Sequence, residues 1–248
     1  MDFGIQAARD PQARPVWLVG ERDLDAWCAS QPGKRSTWVA QAGFKGESQR
    51  LLLLPGDDGD IAGALLGLGG GAAGGDLSPW ALAQLPERLP PGSWRIATPL
   101  APDPATRALL GWALGHYRFD TYRSRPAATG RQATLEAPAG ADVEYVLRAA
   151  RGDALARDLI NTPAGDMGPE QLAAAAAALA RRHGGRFTEI VGEDLCGMRL
   201  HMIHAVGRAG PQRPRLIDLR WGEAAAPRVT LVGKGVCFDT GGPDLTNP

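Results

Sequence analysis

The chain has 248 residues, of which 44% are hydrophobic and 22% charged, a mixture typical of globular proteins with one large or two small domains. Lys plus Arg and Asp plus Glu both number 27, so no net charge attracts nucleic acid or an anionic membrane. No apolar run approaches the roughly 20 residues of a membrane span, and the cysteines, Cys28, Cys196 and Cys237, lack C-x-x-C spacing. We therefore expect a cytoplasmic protein with reduced thiols.

Strand and helix signals alternate in the first part of the chain. "VWLV" (16–19) predicts a short buried strand, and 50–70 holds two apolar runs joined by a Gly-Asp turn, which is typical of a β-hairpin. "WRIATP" (94–99) predicts another strand, and 104–119 predicts a helix with one apolar face. This order predicts a small α/β domain.

The segment 122–142 is polar, rich in Pro, Gly and Ala, and without sustained periodicity, so it predicts a boundary between two domains. We place a small accessory α/β domain at 1–135 and a second domain at 136–248. Directly after the boundary, the sequence predicts an amphipathic helix that is capped by Asp142 and ends before Pro163.

The next helix is predicted to begin at Pro169 and to end at Gly184, which matches the preference for proline at helix starts and for glycine just past helix ends. Three strands are predicted after it, at 186–191, 215–221 and 228–233. Because helices and strands alternate, we expect a mostly parallel sheet, with functional groups at the carboxyl ends of its strands.

The last predicted strand leads into "LVGKGVCFDTGG" (231–242), which places Lys234 and Asp239 in a glycine-rich loop. A carboxylate is an ordinary ligand of hard metal ions. An amine binds a cation only when it is neutral, and a nearby divalent ion favours that form by lowering the pKa of the amine. From the chemistry alone, an exposed ion pair between the two side chains explains the pattern equally well.

Three segments carry a resemblance to a known family. "VGKGVCFDTGG" (232–242) resembles the metal-binding segment of the leucyl (cytosol) aminopeptidases, V-G-K-G-[IV]-x-F-D-[ST]-G-G. "RDLINTPAGDMGPEQL" (157–172) resembles the segment that opens the catalytic domain of that family, and "GWALGHYRFDTYRS" (111–124) is similar to a further family motif. The three segments occur in the order that the family shows.

The resemblance implies a metalloenzyme that removes N-terminal residues from peptides with two divalent ions, Mn²⁺ or Zn²⁺. It implies that the Lys234 amine is a ligand of one ion and that the Asp239 carboxylate bridges both. It also implies that the full-length parent is a homohexamer. Residues 136–248 would then be the N-terminal portion of a metallopeptidase domain with a mostly parallel sheet.

The sequence departs from the family pattern at Thr246, where the family has a catalytic lysine, and the further family ligands do not occur among the 248 residues. We therefore expect an incomplete catalytic domain that is inactive alone. The alternatives are a non-catalytic fragment or interaction module, and a nucleotide-binding protein that uses the "GLGGGA" loop at 67–72.

The remaining candidates for functional residues are two histidines and two cysteines. His201 and His204 could share one helical face, but without a clear third ligand we interpret them as packing or surface residues. Cys196 and Cys237 have no evident base partner, so we interpret them as buried structural thiols.

Overall fold

The computed structural model describes residues 3–71, 77–124 and 133–237, and the chain divides into two compact units, Met1–Ala156 and Arg157–Pro248. The strands are β1 (Ile5–Gln6), β2 (Arg14–Val19), β3 (Leu51–Pro55), β4 (Ile61–Gly67), β5 (Gly92–Ile96), β6 (Ala133–Glu136), β7 (Arg186–Val191) and β8 (Arg215–Arg220). The helices are α1 (Leu24–Ala29), α2 (Gly33–Gln41), α3 (Leu85–Arg88), α4 (Pro102–Gly115), α5 (Val143–Asn161), α6 (Pro169–Arg182), α7 (Asp194–Gly197) and α8 (His201–Gly207). The predicted α/β class is confirmed.

The first unit is built on a six-stranded sheet with the strand order β1-β6-β5-β2-β4-β3. All its pairs are parallel except β3 with β4, which form the predicted antiparallel hairpin. Successive side chains of β2 enter opposite faces: Val16 and Leu18 join the larger core, whereas Val19 joins a smaller core with Val39 of α2. Both faces are covered, which explains why the central strands are continuous apolar runs rather than alternating ones.

Helix α4 packs closely against the backbone of residues 79–83, and two of its glycines permit this approach. A Cβ added to Gly111 would lie 1.8 Å from the Pro79 carbonyl oxygen, and one added to Gly115 would lie 1.8 Å from that of Ala83. Trp112, between them, is fully buried. The family-like segment 111–124 therefore begins with residues that serve packing.

The second unit contains a two-stranded sheet, in which β7 and β8 pair antiparallel, with α6 packed on it. Helix α6 begins at Pro169 and is followed by Gly184 at φ +67°, as predicted. The parallel sheet predicted here is not seen, because the two described strands of this unit run in opposite directions. The parallel sheet of the structure lies in the first unit instead.

The strand predicted at 228–233 is also absent, since these residues form neither helix nor strand and are exposed. A strand exists only when a neighbour pairs its backbone N–H and C=O groups. Across the described ranges, no strand pairs with 228–233, so its apolar composition alone does not make it a strand.

Helix α5 begins where the sequence predicts, because the Tyr145 N–H donates to Asp142 Oδ1 at 2.9 Å and so caps its first turn. Its first half places Val146, Ala150 and Ala154 in the core of the first unit. The division into compact units therefore falls inside this helix, and the domain boundary at 135/136 stays a prediction. Among the described helices, none combines the length and the apolar character that a membrane span requires.

Candidate metal centre

Lys234 lies in the stretch that follows β8, where its side chain is exposed to solvent. It forms no hydrogen bond or ion pair with any other residue that the structure describes. The chain next to it passes close to α6, because a Cβ added to Gly235 would lie 3.2 Å from Leu172 Cδ2. Two residues further on, partial burial raises the pKa of the Cys237 thiol.

Asp239 and Thr246 lie outside the described residues, so the structure does not show where they stand relative to Lys234. A single amine does not make a binding site for a divalent ion, which needs several oxygen, nitrogen or sulfur ligands. The described residues around Lys234 therefore do not form a complete ligand set, and no step of a metal-dependent reaction follows from them.

The segment 157–172, which resembles the opening of the family's catalytic domain, forms the end of α5, a turn and the start of α6. The Thr162 hydroxyl donates to the Asp158 carbonyl at 2.7 Å, and the Gly168 N–H donates to Gln171 Oε1 at 3.1 Å. These bonds satisfy backbone groups at the two helix ends. In the described structure this segment thus connects two helices.

His201 and His204 do not act together. His201 is exposed at the start of α8, whereas His204 lies close to Glu193, the residue before α7, and to Cys196 within α7. Its Nε2 lies 3.1 Å from Glu193 Oε1, and the donor atoms of Glu193, Cys196 and His204 all lie within 4.8 Å of one another. Sequence spacing alone missed this cluster, because the turn between α7 and α8 brings its members together.

The "GLGGGA" loop does not present the features of a dinucleotide site. The N–H groups of Leu68, Gly69 and Gly71 donate to the carbonyl oxygens of Val19, Gly46 and Leu68, respectively. Ala72 lies outside the described residues, and residues 77–84 form no helix that could direct its N-terminus at a phosphate. The described part of the loop is therefore bonded to the end of β2, to Gly46 and to itself, and these bonds do not favour the nucleotide-binding alternative.

Comparison with family models gives two matches. Residues 14–135 match the model described as M17 aminopeptidase, N-terminal domain, and residues 154–248 match that of the cytosol aminopeptidase family, catalytic domain. Together the two matches cover most of the chain, in the order in which its two compact units occur.

Two curated relatives are similar to the chain. A probable cytosol aminopeptidase of Halorhodospira halophila is 40% identical over 175 residues, which make up 65% of this chain and 33% of the relative. A probable cytosol aminopeptidase of Corynebacterium efficiens is 33% identical over 239 residues, or 92% of this chain and 47% of the relative. The chain thus spans a third to about half of the length of these relatives.

Solved structures agree with this result. The cytosol aminopeptidase of Coxiella burnetii matches with a TM-score of 0.82 and 35% identity, over 96% of this chain and 50% of that one. The bottromycin maturation enzyme BotP, determined in complex with Mn, matches with a TM-score of 0.65 and 23% identity, over 87% of this chain and 46% of that one. At that identity, the second match shows a shared fold alone.

Proposed function

We propose, from the premise that this chain belongs to the cytosol aminopeptidase family, that the whole protein is a metal-dependent aminopeptidase that releases N-terminal residues from peptides. The observation that carries the proposal is the match of both compact units to the two domain models of one family, in the same order. The segment at 232–242 supports it further, because its lysine, aspartate and glycines follow the family's metal-binding pattern without a gap.

In this proposal Lys234 and Asp239 hold two divalent ions, Mn²⁺ or Zn²⁺. Such ions lower the pKa of a bound water and polarise the scissile carbonyl group. Lys234 would hold an ion through its amine nitrogen, and Asp239 would hold one through its carboxylate. The exposure of Lys234 is compatible with this role, since its amine is not committed to a carboxylate among the described residues.

We also propose that the 248-residue chain alone does not turn over substrate. Thr246 cannot supply the positive charge of the lysine that the family has at that position, and the described residues near Lys234 add no further ligand. The purified chain, supplied with Mn²⁺ or Zn²⁺, should leave leucine p-nitroanilide uncleaved. Turnover that a chelator abolishes would contradict this proposal and would mean that the chain holds a complete ligand set.

The assignment of Lys234 is tested by Lys234→Arg in the whole protein. Arginine keeps the charge but stays protonated and has no lone pair for a metal, so we expect kcat/KM to fall to background and the bound metal to fall by at least one ion per chain. Lys34→Arg is the matched control, because Lys34 forms an exposed ion pair with Asp57 at 3.2 Å that arginine can also form. Near wild-type metal content in Lys234→Arg would refute the ligand assignment.

The assembly and location of the whole protein are part of the same proposal. A homohexamer in the cytoplasm is what the family resemblance implies for it. Sedimentation of the whole protein tests the assembly, and a stable monomer at all concentrations would contradict it.

A further inference from the structure

The residues Glu193, Cys196 and His204 form a cluster in the second unit that is separate in sequence from the segment at 232–242. We infer that this cluster, which we call the α7–α8 cluster, is a binding site for one divalent ion of the zinc class. Its donors are one carboxylate oxygen, one thiol sulfur and one imidazole nitrogen, which are the three side-chain ligand types that zinc favours.

Backbone geometry fixes the positions of Cys196 in α7 and His204 in α8 relative to each other. After α7 the chain reverses at Arg199, which has φ +60°. The Leu200 N–H donates to the Leu195 carbonyl at 2.8 Å, and the Arg199 N–H donates to that of Cys196 at 3.0 Å. This is the double hydrogen bond of a Schellman motif. Because Leu195 is fully buried, the motif anchors α7 and directs α8 back toward it.

The exposures of the three side chains suit a site with two fixed donors and one adaptable donor. The His204 side chain is 17% exposed and the Glu193 side chain 88% exposed, whereas Cys196 is half-buried. Ligands of a tetrahedral zinc ion, at about 2.0–2.3 Å from it, lie roughly 3.3–3.8 Å apart. The Glu193–His204 pair is already close to this spacing at 3.1 Å, and small side-chain rotations would bring all three donors, which lie within 4.8 Å of one another, to it.

The charges of the donors also fit a divalent cation. A thiolate and a carboxylate supply two negative charges, and His204 supplies a neutral nitrogen if its Nε2 is unprotonated. Three protein ligands leave the fourth position of a tetrahedral ion to water. Binding must release the thiol proton of Cys196. An ordinary ion pair between Glu193 and His204 would need neither the thiol nor a proton release, and this difference makes the site testable.

The first test is cobalt titration of the reduced 248-residue chain, read by the absorption band of thiolate-to-cobalt charge transfer. We expect one cobalt ion per chain to produce the band and zinc to displace it. Cys196→Ser and His204→Gln should abolish the band, and Glu193→Gln should weaken binding by at least about tenfold, as the loss of even a second-layer partner does in known sites. Each variant is checked for native circular dichroism.

Matched controls separate this site from the ions of the proposed aminopeptidase. His201→Gln removes the exposed histidine of the same helix, and Cys237→Ser removes the thiol that lies close to Lys234 in sequence. Both variants, and Lys234→Arg, should keep the band. Loss of the band in Cys237→Ser with retention in Cys196→Ser would overturn the assignment, as would absence of the band from the wild-type chain with cobalt in large excess.

A second measurement does not depend on the folding of any variant. Zinc at about ten times its Kd should slow alkylation of Cys196 in the wild-type chain about tenfold, as followed by mass spectrometry. Cys28 serves as the internal control, because it lies in the first unit, far from the cluster in sequence. Equal alkylation rates of Cys196 with and without zinc would refute the site.

Discussion

The two units of the chain differ most in how much apolar surface they bury. Of the twelve largest fully buried side chains in the described structure, only Leu195 belongs to the second unit. In that unit Leu219 and Trp221 help to line an open apolar hollow with a volume of about 350 Å³. Trp112, in the first unit, is fully buried in a closed core. Both units nevertheless contain well-formed helix caps and turns.

The comparison shows that local sequence signals can specify helices and turns without an extensive buried core around them. Helix α6 forms where proline and glycine predict it, and the turn before α8 has complete hydrogen bonds. In the described part of the second unit these local signals are not accompanied by an extensive buried core. Substitutions of matched residues in the two units should therefore have very different effects on stability.

The largest effect is expected for Trp112→Ala in the first unit, compared with Trp221→Ala in the second. Each indole Nε1 donates to one backbone carbonyl, of Phe3 at 3.1 Å and of His183 at 2.9 Å. Trp112 is 0% exposed and Trp221 is 74% exposed. We expect Trp112→Ala to lower the free energy of unfolding by about 3–5 kcal/mol and Trp221→Ala by less than about 1.5 kcal/mol.

Urea unfolding measures both variants, and hydrogen exchange read by segment assigns each loss to one unit. A loss for Trp221→Ala as large as that for Trp112→Ala would show that the hollow is part of a closed core. In that case burial would not distinguish the two units.

Smaller effects on the free energy of unfolding, opposite in sign, are expected when two glycines in helices of the first unit are replaced by alanine. Gly111→Ala places a Cβ 1.8 Å from the Pro79 carbonyl oxygen, so we expect a destabilisation of about 1–3 kcal/mol. Gly152→Ala in α5 meets nothing within 4 Å and should stabilise the chain by about 0.5–1 kcal/mol, because alanine favours helix. Thermal unfolding of the two variants tests the sign, and stabilisation by Gly111→Ala would refute the close approach of α4.

In the first unit, the sequence predicted the elements whose signals are local and strong, but not α1, α2 or β6, and β6 lies inside the segment that was predicted to be a boundary. The β3–β4 hairpin follows from its Gly-Asp turn, and α4 and α5 follow from their apolar periodicity and the Asp142 cap. The prediction of a strand at 228–233 was wrong because an apolar run does not specify which strand pairs with it. Strand pairing depends on the tertiary structure. The antiparallel pairing of β7 with β8 was missed for the same reason.

The candidate sites divide in a similar way. Lys234 and Asp239 could be predicted because a contiguous segment carries the family pattern, and their roles stay a prediction. The α7–α8 cluster could not be predicted from spacing, since Glu193 and Cys196 meet His204 only through the left-handed residue Arg199. The sequence does not predict that turn, because glycine is the usual residue at such a position and position 199 is an arginine.

The smallest effects are expected at two helix starts, one in each unit. In the first unit, Asp142 Oδ1 accepts the Tyr145 N–H at 2.9 Å, and Asp142→Ala should cost about 1 kcal/mol, because a charged cap is lost from a helix whose first half is packed on the core. In the second unit, Gln212 Oε1 accepts the Glu170 N–H at 3.0 Å from a position far along the chain.

The bond from Gln212 is neutral and exposed, so Gln212→Ala should cost only about 0.5 kcal/mol. Hydrogen exchange of the first turn of α6 should report this loss locally, because Gln212 reaches that turn and no other. Gln41→Ala is the matched control, since Gln41 is an exposed glutamine at the end of α2 and should change nothing in α6. A cost for Gln212→Ala that exceeds that for Asp142→Ala would mean that tertiary contacts stabilise the second unit more than its burial indicates, and would reverse the ranking of the two units.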